Sequence, residues 1–344
     1  MSPESSQAGD PAAPENGWEK FAAGLLFRAG HCVHARSPIA ACHACETACP
    51  RAAWRLGENG LNFDAAACDG CGLCMAVCPE SAIRSIPAPL PLPQGKRVWF
   101  LACERSATDS HNLPCLHALA DGELIAQWHR GCREIACAQA DCAACTRAPP
   151  PERQLPARLD RLNRALRERD AEPLSLTNVE PATWQHAERQ QRASTPDPAR
   201  RGWLARIVAA APEPAPEQRL PAAQDTQAPL SWPWLAIIDI TRCTACDACV
   251  RLCPHQALRL EASAYISDPR NCTGCGLCAD VCDAKAVRPQ AWATAPAQQH
   301  YPLTRKTCAH CQAPFHAAPS GNHTHCRICR KTRHPRAALR IIES

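Results

Sequence analysis

Apolar positions along this chain come in short runs, separated by stretches rich in proline and alanine. Trp18, Phe21, Leu25 and Leu26 fall at helical spacing within WEKFAAGLLFRA and predict a helix covering the segment that follows. Further on, KRVWFLAC reads as a buried strand, and LADGELIAQWHRG as a helix with Asp121 positioned to cap it. REIACA reads as a second strand, and Leu155, Leu159, Leu162 and Leu166 make one apolar stripe on a later helix. LSLTNV is a third strand. The β-α-β-α-β order over residues 96–180 predicts a small parallel sheet with right-handed crossovers. Residues 1–15 are rich in Pro, Ser, Ala and acidic side chains and are expected to be disordered. Residues 181–232 are dominated by Pro, Ala, Gln and Arg and read as a flexible linker, with GWLARIVAA as one short amphipathic helix.

The cysteines give these segments their chemistry. Residues 243–253 and 272–282 each carry the run C-x2-C-x2-C-x3-C, which binds iron–sulfur clusters. Three closely spaced thiolates wrap one corner of a cuboidal cluster, and the fourth lies too far along to turn back, so it reaches the partner cluster. One cluster is therefore assigned to Cys243, Cys246, Cys249 and Cys282, and the other to Cys272, Cys275, Cys278 and Cys253. A second pair lies upstream. Cys68, Cys71, Cys74 and Cys78 form a complete run, but its partner is irregular, with Cys32 standing well before Cys42, Cys45 and Cys49. The crossed rule assigns Cys68, Cys71, Cys74 and Cys49 to one cluster and Cys32, Cys42, Cys45 and Cys78 to the other. The insertion HARSPIAA could displace Cys32 and leave three ligands, so three or four 4Fe–4S clusters are expected; His31, His34 and His43 lie nearby as surface histidines or a substitute ligand. In the tail, Cys308-x2-Cys311 and Cys326-x2-Cys329 read as a zinc ribbon of four cysteines. Its knuckles CAHC and CRIC lack glycines, which favours zinc over rubredoxin-type iron.

Residues 236–289 resemble a two-cluster bacterial ferredoxin, including the strands Ile237 to Ile240, Ala257 to Leu260, and Tyr265 with Ile266. Asp283 stands where that family has proline, which puts the local turn in question. Residues 30–90 repeat the pattern. The segment between resembles the small iron–sulfur subunit that passes electrons from nickel–iron hydrogenase to heterodisulfide reductase, through FLACERS, LPC, RGCREIACAQADC and the helix that follows. The resemblance implies a 2Fe–2S cluster at Cys103, Cys115, Cys137 and Cys142, with zinc or unligated thiols as alternatives. The family's glycine-rich turn is here AQA, and Cys132 and Cys145 are extra.

The expected architecture is α+β and multi-domain. It comprises a ferredoxin-like unit at 16–92, a small α/β parallel-sheet domain at 96–180, the linker, a dicluster ferredoxin domain at 233–292, a zinc ribbon at 300–335 and a tail at 336–344. Only 5% of the residues are aromatic and 33 are proline, poor material for one large core, so the 26 cysteines must carry much of the folding through metal ligation. The formal charge of +5 is misleading for a loaded protein. Counting about −2 for each cluster and for the zinc brings the total to about −5, which weakens any nucleic-acid reading. No signal peptide and no run of about 18 apolar residues is evident, so a cytoplasmic chain with reduced thiols and no membrane span is expected.

No nucleophile with a positioned base, open metal site or nucleotide loop is recognisable, so no self-contained catalytic site is expected. The leading expectation is a multi-cluster electron-transfer protein, a subunit or accessory of a larger redox complex with protein donors and acceptors. The alternative is a redox- or iron-sensing regulator whose labile clusters report oxygen or iron and whose ribbon and basic run RKTRHPRAALR bind nucleic acid.

Overall fold

The computed structural model describes residues 19–22, 24–57, 60–85, 92–93, 95–109, 111–138, 141–193, 219–223, 228–319 and 321–331. The expected disordered segment 1–15, the helix GWLARIVAA and the tail 336–344 lie outside the described residues. The chain forms two compact units, one from residues 1–38 and 42–223, the other from residues 39–41 and 224–344.

In the first unit, strands β1 (Glu19–Ala22) and β2 (Leu25–Phe27) form an antiparallel hairpin. The helix expected there is therefore not formed. Gly24 takes a positive φ of 76° and reverses the chain, and β2 finds an open partner in β5 (Ile83–Ser85). Leu25, only 1% exposed, then packs with Cys45, Trp54, Cys74 and Ile83 rather than along a helix face. Between β2 and β5 come helices α1 (Val33–Arg36) and α2 (Ala44–Ala48), the hairpin of β3 (Trp54–Gly57) and β4 (Gly60–Phe63), and α3 (Leu73–Val77). Phe27, Trp54 and Phe63 stack with ring centroids 5.8 and 4.7 Å apart, closing the apolar side of the cysteine loops.

The same unit continues into β6 (Val98–Ala102), α4 (Asp121–His129), β7 (Glu134–Ala138), α5 (Leu155–Arg167), β8 (Ser175–Asn178) and α6 (Pro181–Ala193). The three strands form the expected parallel sheet in the order β6-β7-β8, with Val98 opposite Glu134 and Glu134 opposite Ser175. Leu101, Leu124, Ile135, Leu162 and Leu166 are fully buried in its core. Two local expectations change. Asp121 does not cap α4; Ala120 holds that position, and the Asp121 carboxylate instead accepts from Arg158 Nε at 2.9 Å. Arg158, 6% exposed, also donates to the carbonyls of His117 and Leu119, so the buried guanidinium claims the carboxylate. The residues assigned to a linker begin with α6, whose Trp184 is 1% exposed and donates from Nε1 to the Ala136 carbonyl at 3.0 Å. An extended polar composition is overridden by one large aromatic anchored on the sheet.

The second unit repeats the first plan. Strand β9 (Leu230–Ile238) starts inside the assigned linker; α7 (Ala248–Leu252), the hairpin of β10 (Leu258–Glu261) and β11 (Ala264–Ser267), and α8 (Leu277–Asp280) follow. Strand β12 (Val287–Ala295) then returns to pair antiparallel with β9 from Ile238–Val287 to Leu230–Ala295. This is the pairing of β2 with β5, lengthened, so the duplication read in the cysteines extends to strand topology. Strand β13 (Gln299–Pro302) adds to β11, and β14 (Thr304–Thr307) with β15 (Pro314–Ala317) forms a hairpin before α9 (Arg327–Lys331).

Candidate metal centres

Each regular cysteine run is a tight loop followed by one short helix, and the irregular run from Cys32 to Cys49 carries two. In the runs at 68–78 and 272–282, the residues after the first and second cysteines that must turn are glycines: Gly70 and Gly72, Gly274 and Gly276, with φ between 73 and 86°. A Cβ on Gly274 would lie 2.2 Å from the Trp234 ring, so glycine is also needed for space. The run at 243–253 makes the same turns with Ala245 (φ 52°) and Asp247 (φ 61°). Such backbone is costly for a residue with a Cβ. At Asp247 it is held by Tyr265, a buried side chain whose hydroxyl donates to the carboxylate at 2.6 Å and accepts from the Asp247 amide at 3.2 Å.

A second repeat ends each run. Three residues past its last cysteine, the chain again turns through positive φ, at Ala52, Ser81, Gln256 and Lys285. The next amide points at the sulfur in three of the four: Ala53 to Cys49 Sγ at 3.3 Å, Ala82 to Cys78 Sγ at 3.3 Å and Ala286 to Cys282 Sγ at 3.2 Å. The run with Asp283 in place of proline makes the same turn, because Lys285 N also donates to the Cys282 carbonyl at 2.9 Å. Proline presets φ but is not required once these backbone bonds close the loop.

These loops bring thiols together in crossed sets. One cavity of the second unit is lined by Cys243, Cys246, Cys249 and Cys282, and another by Cys253, Cys272, Cys275 and Cys278. In the first unit, burial and then the charges of Cys42 and Cys78 push the Cys45 thiol up to about 12, with Cys32 adding to the effect. The charge of Cys32 thus reaches Cys45 across the insertion before Cys42. Residues 33–36 form α1, and His34 Nε2 lies 2.7 Å from the Cys42 carbonyl, folding the insertion back on itself. Burial lowers the pKa of His31, aided by Arg28 and Arg36. Cys71 is raised to about 11, first by burial, with Asp69 and the Cys49 charge contributing. Burial followed by the charges of Cys243, Cys246 and Cys282 lifts Cys249 to about 12. A quartet of thiolates so placed repels itself and is stable only around a multivalent cation.

The tail holds a tighter set. The ligand atoms of Cys308, Cys311, Cys326 and Cys329 lie within 4.8 Å of one another. Cys308 is fully buried, and its sulfur accepts from the Cys326 amide at 3.2 Å. Backbone amides of Cys311 and Cys326 hold the Cys308 thiol down to about 5, whereas Cys329 is raised to about 12, first by burial. His310 Nδ1 lies 3.7 Å from Cys329 Sγ, close to the site but outside the four-thiol set.

In the parallel-sheet region, one small cavity beyond the ends of β6 and β7 is lined by Cys103, Cys115, Cys142 and Cys145. Cys137 is 1% exposed within β7 and does not line it, although the charges of Cys103 and Cys142 reach its thiol, which burial chiefly raises to about 12. Cys132 is fully buried and donates to the Glu134 carbonyl at 3.4 Å, away from the cavity. Cys145 stands outside the set that the resemblance implies; its C-x2-C spacing from Cys142 is the signal that marks it.

Residues 242–286 match the family model of a 4Fe–4S dicluster domain, and residues 61–83 that of a 4Fe–4S binding domain. No curated protein matches the chain. Among the described residues, no helix is long and apolar enough to cross a membrane.

Proposed function

We propose that this chain is an electron-transfer protein carrying four 4Fe–4S clusters in two ferredoxin-like units, with zinc in its C-terminal ribbon. The observation that supports it is the crossed convergence of thiols in loops that recur with the same turns and the same amide-to-sulfur contacts. The ligand sets are those of the crossed rule: Cys243, Cys246, Cys249 and Cys282; Cys272, Cys275, Cys278 and Cys253; Cys68, Cys71, Cys74 and Cys49; and Cys32, Cys42, Cys45 and Cys78. All-thiol quartets with backbone donors fit such clusters, which when bound exchange one electron each. The chain's own contribution is to exclude water, aim N–H groups at sulfur and so tune the potential.

The ribbon thiols suit one tetrahedral ion, and a site with four protein ligands is closed and structural. For the middle cavity we assign a 2Fe–2S cluster, with Cys103, Cys115, Cys142 and Cys145 as ligands. Cys137 is the competitor for the place of Cys145. The protein would serve as a component of a larger redox complex with protein donors and acceptors, in the reducing cytoplasm where thiols stay unpaired.

Anaerobic iron, sulfide and zinc content, together with EPR of the dithionite-reduced full chain, tests this reading. About eighteen irons, one zinc and both cluster signals are expected. About sixteen irons without a 2Fe–2S signal would remove the middle cluster, and about fourteen with that signal retained would mean that the Cys32 set is incomplete. Retarded migration of nucleic acid that weakens with salt would favour the regulator instead.

A further inference from the structure

Within the first unit, the loop of the complete cysteine run and the middle cavity share a contact surface. Gly72, which follows Cys71, lies against the turn that carries Cys115. A Cβ on Gly72 would sit 3.1 Å from Pro114 Cγ and 3.3 Å from Ala118 Cβ. Cys71 is 7% exposed, and its charge reaches the Cys115 thiol.

One side chain ties the two sites directly. Arg147 lines the middle cavity, with its side chain only 11% exposed. Its Nε donates to Asp69 Oδ2 at 3.0 Å and its NH2 group to the Asp69 carbonyl at 2.8 Å. Its NH1 group donates to Glu104 Oε2 at 2.8 Å. Asp69 directly follows Cys68, and Glu104 directly follows Cys103. The guanidinium thus fastens the residue beside one candidate ligand of each site. A planar fork with several fixed donors suits this double hold better than a lysine would. Two carboxylates bracketing one arginine also leave the junction with a definite local charge, and local charge is one determinant of cluster potential.

We propose that the Cys49–Cys68–Cys71–Cys74 site and the middle cavity form one electron-transfer junction, with Arg147 as its positioning residue. The inference rests on the reading that both sites hold iron–sulfur clusters. A single electron passes from one site to the other, oxidising the first by one unit and reducing the second by one. No bond is made or broken and no proton is required. The first site is refilled by a low-potential one-electron donor, for which dithionite substitutes in vitro. The junction would give the N-terminal unit an internal outlet that does not depend on a second protein docking at that site.

The test uses the anaerobically prepared full chain, with EPR power saturation and redox titration of each signal. In the native protein, the 2Fe–2S signal should relax faster and broaden when the neighbouring 4Fe–4S site is reduced. Arg147→Gln should shift the midpoints of both sites to lower potential and reduce the magnetic interaction at unchanged iron content. Arg147→Lys, which keeps the charge, should recover the midpoints more fully than the interaction. It also keeps the test open should Arg147→Gln fail to load iron. A full metal complement whose two signals show no interaction in the native protein, or whose midpoints stay unmoved in Arg147→Gln, would overturn the junction alone. Sixteen irons with no 2Fe–2S signal would overturn the metallated cavity, and the junction with it.

Discussion

Ala245 and Asp247 occupy turns that glycine fills in two other cysteine runs; the Asp247 side chain is held there by Tyr265, whereas Ala245 contributes only its amide, which donates to Cys243 Sγ at 3.4 Å. Ala245→Gly should therefore stabilise the second unit by about 1 kcal/mol, since a left-handed alanine costs about that much. Thermal release of iron, followed by absorbance, would report it. At the middle cavity, the competition between Cys137 and Cys145 is also decided by single residues. Cys145→Ser should abolish the 2Fe–2S EPR signal while Cys137→Ser retains it, because the Cys145 side chain borders the cavity and Cys137 sits within β7. The reverse result would restore the set read from sequence. These residue-level facts were half legible. C-x2-C spacing marks thiols that can converge, but whether a given sulfur borders a cavity depends on strands distant in sequence.

Elements tell a similar story. The strand–helix order of residues 96–180 was readable because each segment carries its own apolar period. The hairpin β1–β2 was not, because its apolar residues also fit a helix until β5 supplies a strand partner. Helix α6 carries no broad apolar stripe to mark it as helix; its anchor on the sheet is Trp184, with Gln191 donating to the Val98 carbonyl at 3.1 Å. Trp184→Ala should cost about 3–5 kcal/mol, the usual loss for a buried tryptophan, and a lowered urea midpoint of the first unit would show it. At the start of the run at 272, Asp268 caps a single helical turn, accepting from the Arg270 amide at 3.0 Å and the Arg270 guanidinium at 2.6 Å. Its burial opposes ionisation, but the Arg270 hydrogen bond outweighs it and holds the carboxyl below its usual range. A depressed folded pKa adds stability above the unfolded value near 4, and that stability is lost as pH falls through the folded one. Acid lability of the second unit below about pH 4 should be smaller in Asp268→Asn, which has no proton to take up there; iron release against pH is the measurement.

Across the whole molecule, two kinds of core coexist. The parallel sheet buries Leu101, Leu124, Ile135, Leu162 and Leu166 and needs no metal to do so. The cluster loops instead pack cysteine with a few apolar residues, as in the group of Leu25, Cys45, Trp54, Cys74 and Ile83. Anaerobic removal of iron and zinc should therefore unfold the cysteine-rich segments and leave α4, α5 and α6 folded on their sheet. Far-UV circular dichroism that keeps most of its helical signal, with hydrogen exchange fast only in the cysteine runs, is the expected outcome.

The cysteine spacing of the 4Fe–4S segments and its duplication were legible in the sequence alone, because three thiols within seven residues can converge through local turns alone. The family models that match residues 61–83 and 242–286 agree with that reading of the 4Fe–4S segments. Tertiary structure decided what local spacing leaves open. It folded residues 33–36 after Cys32 into one helical turn. It drew Cys145 to the middle cavity and set Gly72 against Pro114. It also placed Arg147 between Asp69 and Glu104, residues far apart in the chain. Contacts of that kind depend on which surfaces meet, and surfaces meet through long-range packing rather than through the periodicity of any one segment.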